Sequence, residues 1–205
     1  MSSSGFCSKR KADVFIKERK VTVNGQRIKA KVNDVYLMFN KPPGVTYTAA
    51  SHIEGNIIDF VNYPVQILPV DWLDKQSEGL ILLTNDGSLV DELLREESKR
   101  EKDYVVTVDK KTIAFIEEMA CGVEINNPRK KGNTITKPCR VVLLTDNCFN
   151  ITLSQGLNRQ IRRMYRRFQY TVTRLQRVRI KELPLGTLAF GQWRKLSGEE
   201  IVGVK

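Results

Sequence analysis

The chain has 205 residues, of which 41% are hydrophobic, and carries 34 lysines and arginines against 23 acids, a net charge of +11. That content suits one or two cores, and the cationic surplus favours a polyanionic partner, either nucleic acid or an anionic membrane surface. No apolar run approaches ~18 residues, which excludes a spanning helix; the start, Met1 to Phe6, lacks a signal peptide's apolar region, so a cytoplasmic address is expected.

Near the N-terminus Ser8 can cap a short helix through about Arg19, with Ala12, Phe15 and Ile16 inward. Val21-Thr22-Val23 then alternates like a strand into an Asn24-Gly25 turn. These about 35 residues are too few for an independent core. Val35 to Phe39 reads as a buried strand, ended by Asn40-Lys41-Pro42-Pro43-Gly44-Val45 because proline cannot extend a ladder. Residues 46–70 carry few signals and read as loop, with His52 a solvated loop residue.

Gly79 to Thr84 is a second buried strand, followed by an Asn85-Asp86-Gly87 turn in which Asp86 is a turn former. Ser88 to about Glu97 is expected as a helix with Leu89, Val90, Leu93 and Leu94 on one side. In the strand Tyr104 to Val108, Tyr104, Val106 and Val108 share a face. Thr112 to Ala120 reads as a helix stopped by Gly122. Two β patterns follow, at Val141 to Leu144 and Phe149 to Leu153, then a helix from Asn158 to about Phe168 and a strand-rich tail from Val172. There is no internal repeat and no regular βαβ alternation, so the expected class is α+β, a largely antiparallel mixed sheet with flanking helices.

The cysteines, Cys7, Cys121, Cys139 and Cys148, share no metal-ligand spacing, and His52 is the single histidine. Free thiols are the better reading, and neither a zinc site nor histidine-based hydrolysis is supported. No phosphate-binding glycine loop follows a strand, so no nucleotide cofactor is expected. Two features do carry chemistry. In Asp71-Trp72-Leu73-Asp74-Lys75-Gln76-Ser77-Glu78-Gly79-Leu80 a carboxylate, Asp74, sits on a turn at the mouth of a rigid strand, where a substrate can reach it. Asp71 reads as peripheral, and Trp193 as a packing residue.

The second feature is the helix opened by Asn158 as N-cap. Ile161, Met164, Tyr165 and Phe168 recur at helical spacing, and Arg159, Arg162, Arg163, Arg166 and Arg167 fill the remainder. At roughly 100° per residue, Arg162 and Arg167 border the apolar stripe, where an arginine can reach a partly buried carboxylate. Arg163 and Arg166 point away, towards phosphates. No interleaved acids relieve the repulsion among these cations, so contact with a nucleic-acid backbone is the better explanation.

Taken together, several segments resemble a known family. They are Leu73-Asp74-x-x-Ser77-x-Gly79-Leu80 with Leu83-Thr84-Asn85-Asp86-Gly87, then Lys102-Asp103-Tyr104, then Gly156-Leu157-Asn158-Arg159-Gln160-Ile161-Arg162-Arg163-Met164. With Lys41-Pro42-Pro43-Gly44 and Leu185-Gly186-x-Leu188-x-x-Gly191-x-Trp193-Arg194-x-Leu196, they resemble the pseudouridine synthases of the RsuA/RluB/RluE/RluF branch. The likeness runs from about Leu37 to Leu196, and Thr134-x-Thr136-Lys137-x-Cys139 is most similar to the RluF subgroup. Ser4 to Asp13, with Val21-Thr22-Val23-Asn24-Gly25, resembles an abridged S4 RNA-binding domain.

The resemblance implies an S4-like module over 1–35 and a catalytic domain over 36–205 with a central active-site cleft. It implies an isomerase that converts a specific uridine to pseudouridine in structured RNA, without cofactor or metal, as a monomer. The favoured target is large-subunit ribosomal RNA; transfer RNA, or a non-catalytic role in ribosome assembly, are the alternatives. Asp74 is the implied essential carboxylate, acting as nucleophile or as base. Tyr104 stacks on the flipped uracil, Arg162 pairs with Asp74, and Ile161 packs beside the base. Asn158, Arg159, Gln160, Arg163, Arg166 and Lys41 complete the implied RNA contacts. One departure stands out: where the family has Gly-Arg before Leu-Asp, this chain has Asp71-Trp72. Trp72 cannot make that arginine's hydrogen bonds, but it is expected to line the mouth and wedge between bases.

Overall fold

The structure, a computed structural model, describes residues 14, 22–23, 26–27, 33–50, 52–90, 100–111, 115–128 and 132–204. Two compact units divide at Asp34 and Val35. In the smaller, β1 (Thr22–Val23) pairs antiparallel with β2 (Gln26–Arg27), Thr22 opposite Arg27, as the Asn24-Gly25 turn leads one to expect. Apart from helical Val14, the expected Ser8–Arg19 helix lies outside the described residues.

The larger unit is built on a nine-stranded sheet. Its strands are β3 (Tyr36–Lys41), β4 (Leu68–Val70), β5 (Glu78–Thr84), β6 (Lys102–Val108), β9 (Arg140–Thr145), β10 (Cys148–Leu153), β11 (Val172–Ile180), β12 (Leu183–Pro184) and β13 (Trp193–Lys195). The order is β13-β3-β5-β11-β6-β10-β9, with β12 on β11 and β4 on β5. Every pairing is antiparallel except β11 with β5, where Gln176 faces Glu78 and Arg177 faces Gly79. The short helices are α1 (Ile57–Val61), α2 (Ile116–Cys121), α3 (Gln160–Arg167) and α4 (Gly198–Val204). This is the α+β, mainly antiparallel class that the pattern indicated.

Side-chain alternation along β3 and β5 feeds two cores. Met38, Leu80 and Leu82 join Leu183 and Leu185 on one face; Leu37, Phe39, Ile81 and Leu83 join Leu73 and Ile57 on the other. All seven residues of β5 are buried, which is why it reads as an unbroken apolar run. A third core forms where α3 lays Ile161, Met164 and Tyr165 against Val106, Phe149 and Ile151. Each such side chain contributes about 1.5–3 kcal/mol when fully buried. Tyr104 touches both this core and the one around Leu73.

Several local expectations are corrected. Residues 46–70 are not simply loop: Asn56 caps α1 by accepting from the Asp59 amide at 2.9 Å, and β4 pairs Pro69 opposite Leu83. A five-residue helix is too short to show a period, and Pro69 masks the strand. An additional two-stranded sheet, β7 (Glu124–Asn127) with β8 (Gly132–Ile135), lies in a stretch for which the sequence pattern indicated no element. Helical backbone follows β5 at 87–90, while 91–99 lie outside the described residues. The expected Thr112–Ala120 helix is seen as α2, ending at Gly122 with φ 105°; residues 112–114 are not described.

Candidate active site

The turn that carries Asp74 is held from within. Its Oδ1 accepts from the amides of Gln76 at 3.0 Å and Ser77 at 3.1 Å, and its Oδ2 accepts from the Ser77 hydroxyl at 2.8 Å. Aspartate favours such turns because its short side chain can satisfy amides two and three residues on. The turn is also held from behind: the Lys75 carbonyl accepts from the Gly44 amide at 2.7 Å and from Lys41 Nζ at 3.3 Å.

Lys41 is completely buried and donates as well to the carbonyls of Pro42 at 2.9 Å and Val45 at 3.0 Å. Burial pulls its pKa down to about 8, and nearby Asp74 opposes that pull. The expected RNA contact by Lys41 is therefore corrected, since its ammonium is enclosed behind the Asp74 turn and braces it.

From the other side α3 brings two guanidiniums. Arg162 Nε lies 3.4 Å from Asp74 Oδ2, while its Nη2 donates to Ser77 Oγ at 3.2 Å and its Nη1 to the Val172 carbonyl at 3.1 Å. Arg159 Nη1 lies 3.4 Å from Asp74 Oδ1, and its Nη2 donates to Gln76 Oε1 at 2.8 Å. At 3.4 Å these are long for hydrogen bonds and act chiefly as charge contacts. The carboxylate keeps 20% of its side-chain surface open.

The start of α3 differs from expectation. Its N-cap is Arg159, in the left-handed region at φ 49° and without a side-chain cap bond; Asn158 is not the cap. Asn158 Oδ1 instead accepts from Arg163 Nη2 at 2.8 Å, and Arg163 Nη1 donates to the Asn126 carbonyl at 2.7 Å. Arg163 is thus committed to tying α3 to β7, a contact invisible without knowing that β7 lies there. Arg166 and Arg167 are exposed. Gln160 is buried, and its Oε1 accepts from the Leu157 amide at 3.0 Å, holding the loop before the helix.

Between these elements lies a cavity of about 250 Å³, about the size of one nucleoside, lined by Asp74, Tyr104, Ile161, Trp72, Tyr47 and Leu175 among others. Asn158, Arg159 and Gln160 also border it; Arg162, Arg163, Arg166 and Lys41 do not. One wall is thus a carboxylate between two arginines, another the ring of Tyr104. Such a space can take a flat ring and present a fixed carboxylate to it.

An ion cluster that the sequence reading missed contributes Asp71 and Lys102 to the lining of the same cavity. Fully buried Arg177 donates from Nη1 to Asp71 Oδ2 at 2.9 Å and to the Trp72 carbonyl at 3.2 Å, and from Nε to the Leu80 carbonyl at 2.7 Å. Lys102 Nζ donates to Asp71 Oδ1 at 2.9 Å. Burial by itself would raise the Asp71 pKa, but Arg177 and Lys102 outweigh it and hold the carboxyl below the usual range. Burial by itself would lower the Arg177 pKa, but Asp71, and after it Tyr104, its cross-strand partner, outweigh that and hold it above its ordinary value. Asp71 is therefore not peripheral. The available signal was Arg177 itself, which sits in phase with Leu175 on a buried strand face and so needs a buried acid. Trp72 is 57% exposed, so it lies at the mouth and not in the core. Trp193 is partly exposed on β13 and meets Tyr63 edge-on at 5.1 Å, consistent with a packing role.

Comparison with known proteins gives concordant matches. Residues 35–167 match the RNA pseudouridylate synthase family, and residues 1–33 match the S4 domain. The dual-specificity RNA pseudouridine synthase RluF of Salmonella typhi is 42% identical over 98% of this chain and 75% of its own length. Ribosomal large subunit pseudouridine synthase B of Bacillus subtilis is 29% identical over 98% of this chain and 91% of its length. A crystal structure of a pseudouridylate synthase superposes with a TM-score of 0.73 at 26% identity, covering 98% of this chain and 95% of that one.

Proposed function

Because this chain belongs to the RNA pseudouridine synthase family, and so isomerises uridine to pseudouridine in RNA, we propose that Asp74 is the carboxylate at which the isomerisation takes place. The observation that carries this reading is its place: it lines a cavity of about 250 Å³ together with Tyr104 and Arg159, is fixed by three hydrogen bonds from its own turn, and has Arg162 against its Oδ2.

In the reaction the bond from ribose C1′ to uracil N1 breaks, the uracil turns, and C1′ joins C5. C5 then gives up its proton and N1 gains one, so nothing is added or lost. Asp74 serves as the nucleophile at the sugar or as the base that starts an elimination. Arg159 and Arg162 each lie 3.4 Å from one of its oxygens and supply the positive charge that the carboxylate faces. Tyr104 provides the stacking face and takes part in the proton removal; Ile161 packs beside the base. Extruding the base costs a few kcal/mol, recovered by these contacts.

The substrate on this reading is ribosomal RNA of the large subunit, supported by the names of the RluF and large-subunit relatives and by the +11 charge. The unit over 1–35 acts as a small S4-like RNA-binding module and 36–205 as the catalytic domain, working as a monomer in the cytoplasm. No helix among the described residues is long and apolar enough to cross a membrane. A purely RNA-binding role leaves the assembled Asp74, Arg162 and Tyr104 without a purpose.

The test is to map pseudouridines in total RNA from cells with the gene, without it, and with an Asp74→Asn copy. Sites in large-subunit ribosomal RNA that vanish in the last two support the reading. Loss confined to transfer RNA would move the target, and retention with Asp74→Asn would remove Asp74 as the chemical centre.

A further inference from the structure

Arg177 uses only part of its guanidinium to hold the fold. Its Nη1 and Nε are taken by Asp71 and by the carbonyls of Trp72 and Leu80. Its Nη2, enclosed like the rest of the side chain, has no hydrogen-bond partner of ordinary geometry among the described residues. A buried donor left in this way is destabilising and uncommon, and a catalytic site is one place where it persists. The charge around it is unmatched as well. Asp71 is a single anion between two buried cations, Arg177 and Lys102, at 2.9 Å each. Buried Lys41 adds positive charge near Arg177. The neighbouring acids are occupied elsewhere: Asp74 faces Arg159 and Arg162, and Glu78 accepts from Arg174 Nε at 2.6 Å.

Tyr104 is the group placed to use this surplus. It stands directly across the pairing of β6 with β11 from Arg177, and it lines the catalytic cavity. After Asp71 it does most to hold the Arg177 pKa above its ordinary value, through its charge and as an acceptor. The charge effect belongs to the phenolate, since a neutral phenol carries no net charge. Tyr47 follows, but its hydroxyl already donates to the Pro69 carbonyl at 2.8 Å.

We infer that Arg177 is a positioning residue for the isomerisation, whose Nη2 holds the oxygen of Tyr104 while that oxygen carries negative charge. The inference rests on the reading above in which Tyr104 takes part in proton removal. Once C1′ has joined C5, that carbon still bears its hydrogen, and C6 is double-bonded to N1. The Tyr104 hydroxyl proton goes to N1, and the phenolate oxygen so formed takes the proton from C5. The C5–H electron pair becomes the C5–C6 double bond, and the C6–N1 π pair returns to N1. Tyr104 thus ends as it began. Its transient anion appears where positive charge already stands in place, so little has to reorganise.

The experiment uses the full chain on total RNA from cells lacking the gene, grown on uracil or on uracil deuterated at C5. The maximal rate and the half-saturating protein concentration are read from the pseudouridine formed. Arg177→Lys keeps one nitrogen for Asp71 and has none left for Tyr104. Its maximal rate should fall by about a hundredfold, the scale of one donor lost to a developing anion, with the half-saturating concentration nearly unchanged. Deuterium at C5 should slow this variant more than the wild type, because proton removal has become limiting. Arg162→Ala, which acts at Asp74 before that step, should be slow without a larger deuterium effect. If Arg177→Lys does not melt cooperatively, Arg177→Met, in which Asp71 retains Lys102, carries the same comparison. A variant as fast as the wild type, or a slow one with an unchanged deuterium effect, would overturn the inference and leave the Asp74 reading standing. Full turnover by Tyr104→Phe would remove the Tyr104 role, and the inference with it.

Discussion

Asp71 and Arg177 form an ion pair, 2.9 Å from Nη1 to Oδ2, in which the arginine is wholly enclosed and the aspartate nearly so. Lys102 makes the cluster asymmetric, with two cations on one anion. Removing the anion is therefore worse than removing either cation. Asp71→Ala should destabilise the chain by about 3–5 kcal/mol, the usual effect of leaving a buried charge unpaired, and Arg177→Met should cost less because Asp71 retains Lys102. Urea unfolding of the two variants checks the order; a larger loss for Arg177→Met would show that packing and not charge dominates the cluster.

Asp74→Asn preserves the shape of the turn and one of its acceptors while removing the charge. Pseudouridine formation should be abolished, with RNA affinity and melting temperature almost unchanged. Mass spectrometry must accompany the assay, since deamidation would restore aspartate. Turnover by the intact asparagine form would contradict the assignment.

The arginines of α3 should separate by what they touch. Arg162→Ala strands the buried side of Asp74 and should act mainly on turnover. Arg166→Ala should weaken binding and lower the salt dependence by roughly 0.7 in log-log slope, the effect of one phosphate contact to a single strand. Arg163→Ala should instead cost about 1–2 kcal/mol of stability, because its two donors serve Asn126 and Asn158. A salt titration beside a melting curve distinguishes these. An undiminished slope for Arg166→Ala would place that residue off the RNA.

Lys41 gives a dependence on alkaline pH. Its native pKa of about 8 lies below the ordinary 10.5, so between these values the unfolded chain binds more protons than the folded one. Stability from this group consequently rises with pH across that window and is lost as pH falls through about 8. Lys41→Met should flatten that rise. It should also lower stability at pH 7 by about 1–3 kcal/mol for each carbonyl left unpaired among Pro42, Val45 and Lys75. Unfolding measured from pH 7 to 10.5 tests both; an unchanged profile in Lys41→Met would dissociate Lys41 from it.

Much of the fold was legible locally. β3, β5, β6 and β10 declare themselves because their side chains alternate into cores or are buried on both faces. β7 and β8 do not, because they are short and polar, and neither does α1, whose five residues are mostly apolar but too few to show a period. For the site, the motif around Asp74 and the cationic helix could be read directly. Its surroundings could not, because hydrogen-bond partners such as Asn126 for Arg163 are remote in sequence.

The sequence by itself determined the family, the α+β class, and which carboxylate and which helix carry the candidate chemistry, since these depend on the order and spacing of nearby residues. Only the tertiary structure decided that Lys41 is enclosed, that Asp71 is a buried counter-ion to Arg177 and Lys102, and that Trp72 stands exposed at the cavity rim. A charged side chain's role depends on what lies within about 4 Å of it. For Asp71 and Arg177 that neighbour is 106 residues away in the chain, brought close by the parallel pairing of β5 with β11 at Gly79. There a Cβ would fall 2.2 Å from the Arg177 carbonyl oxygen, so only glycine permits the approach.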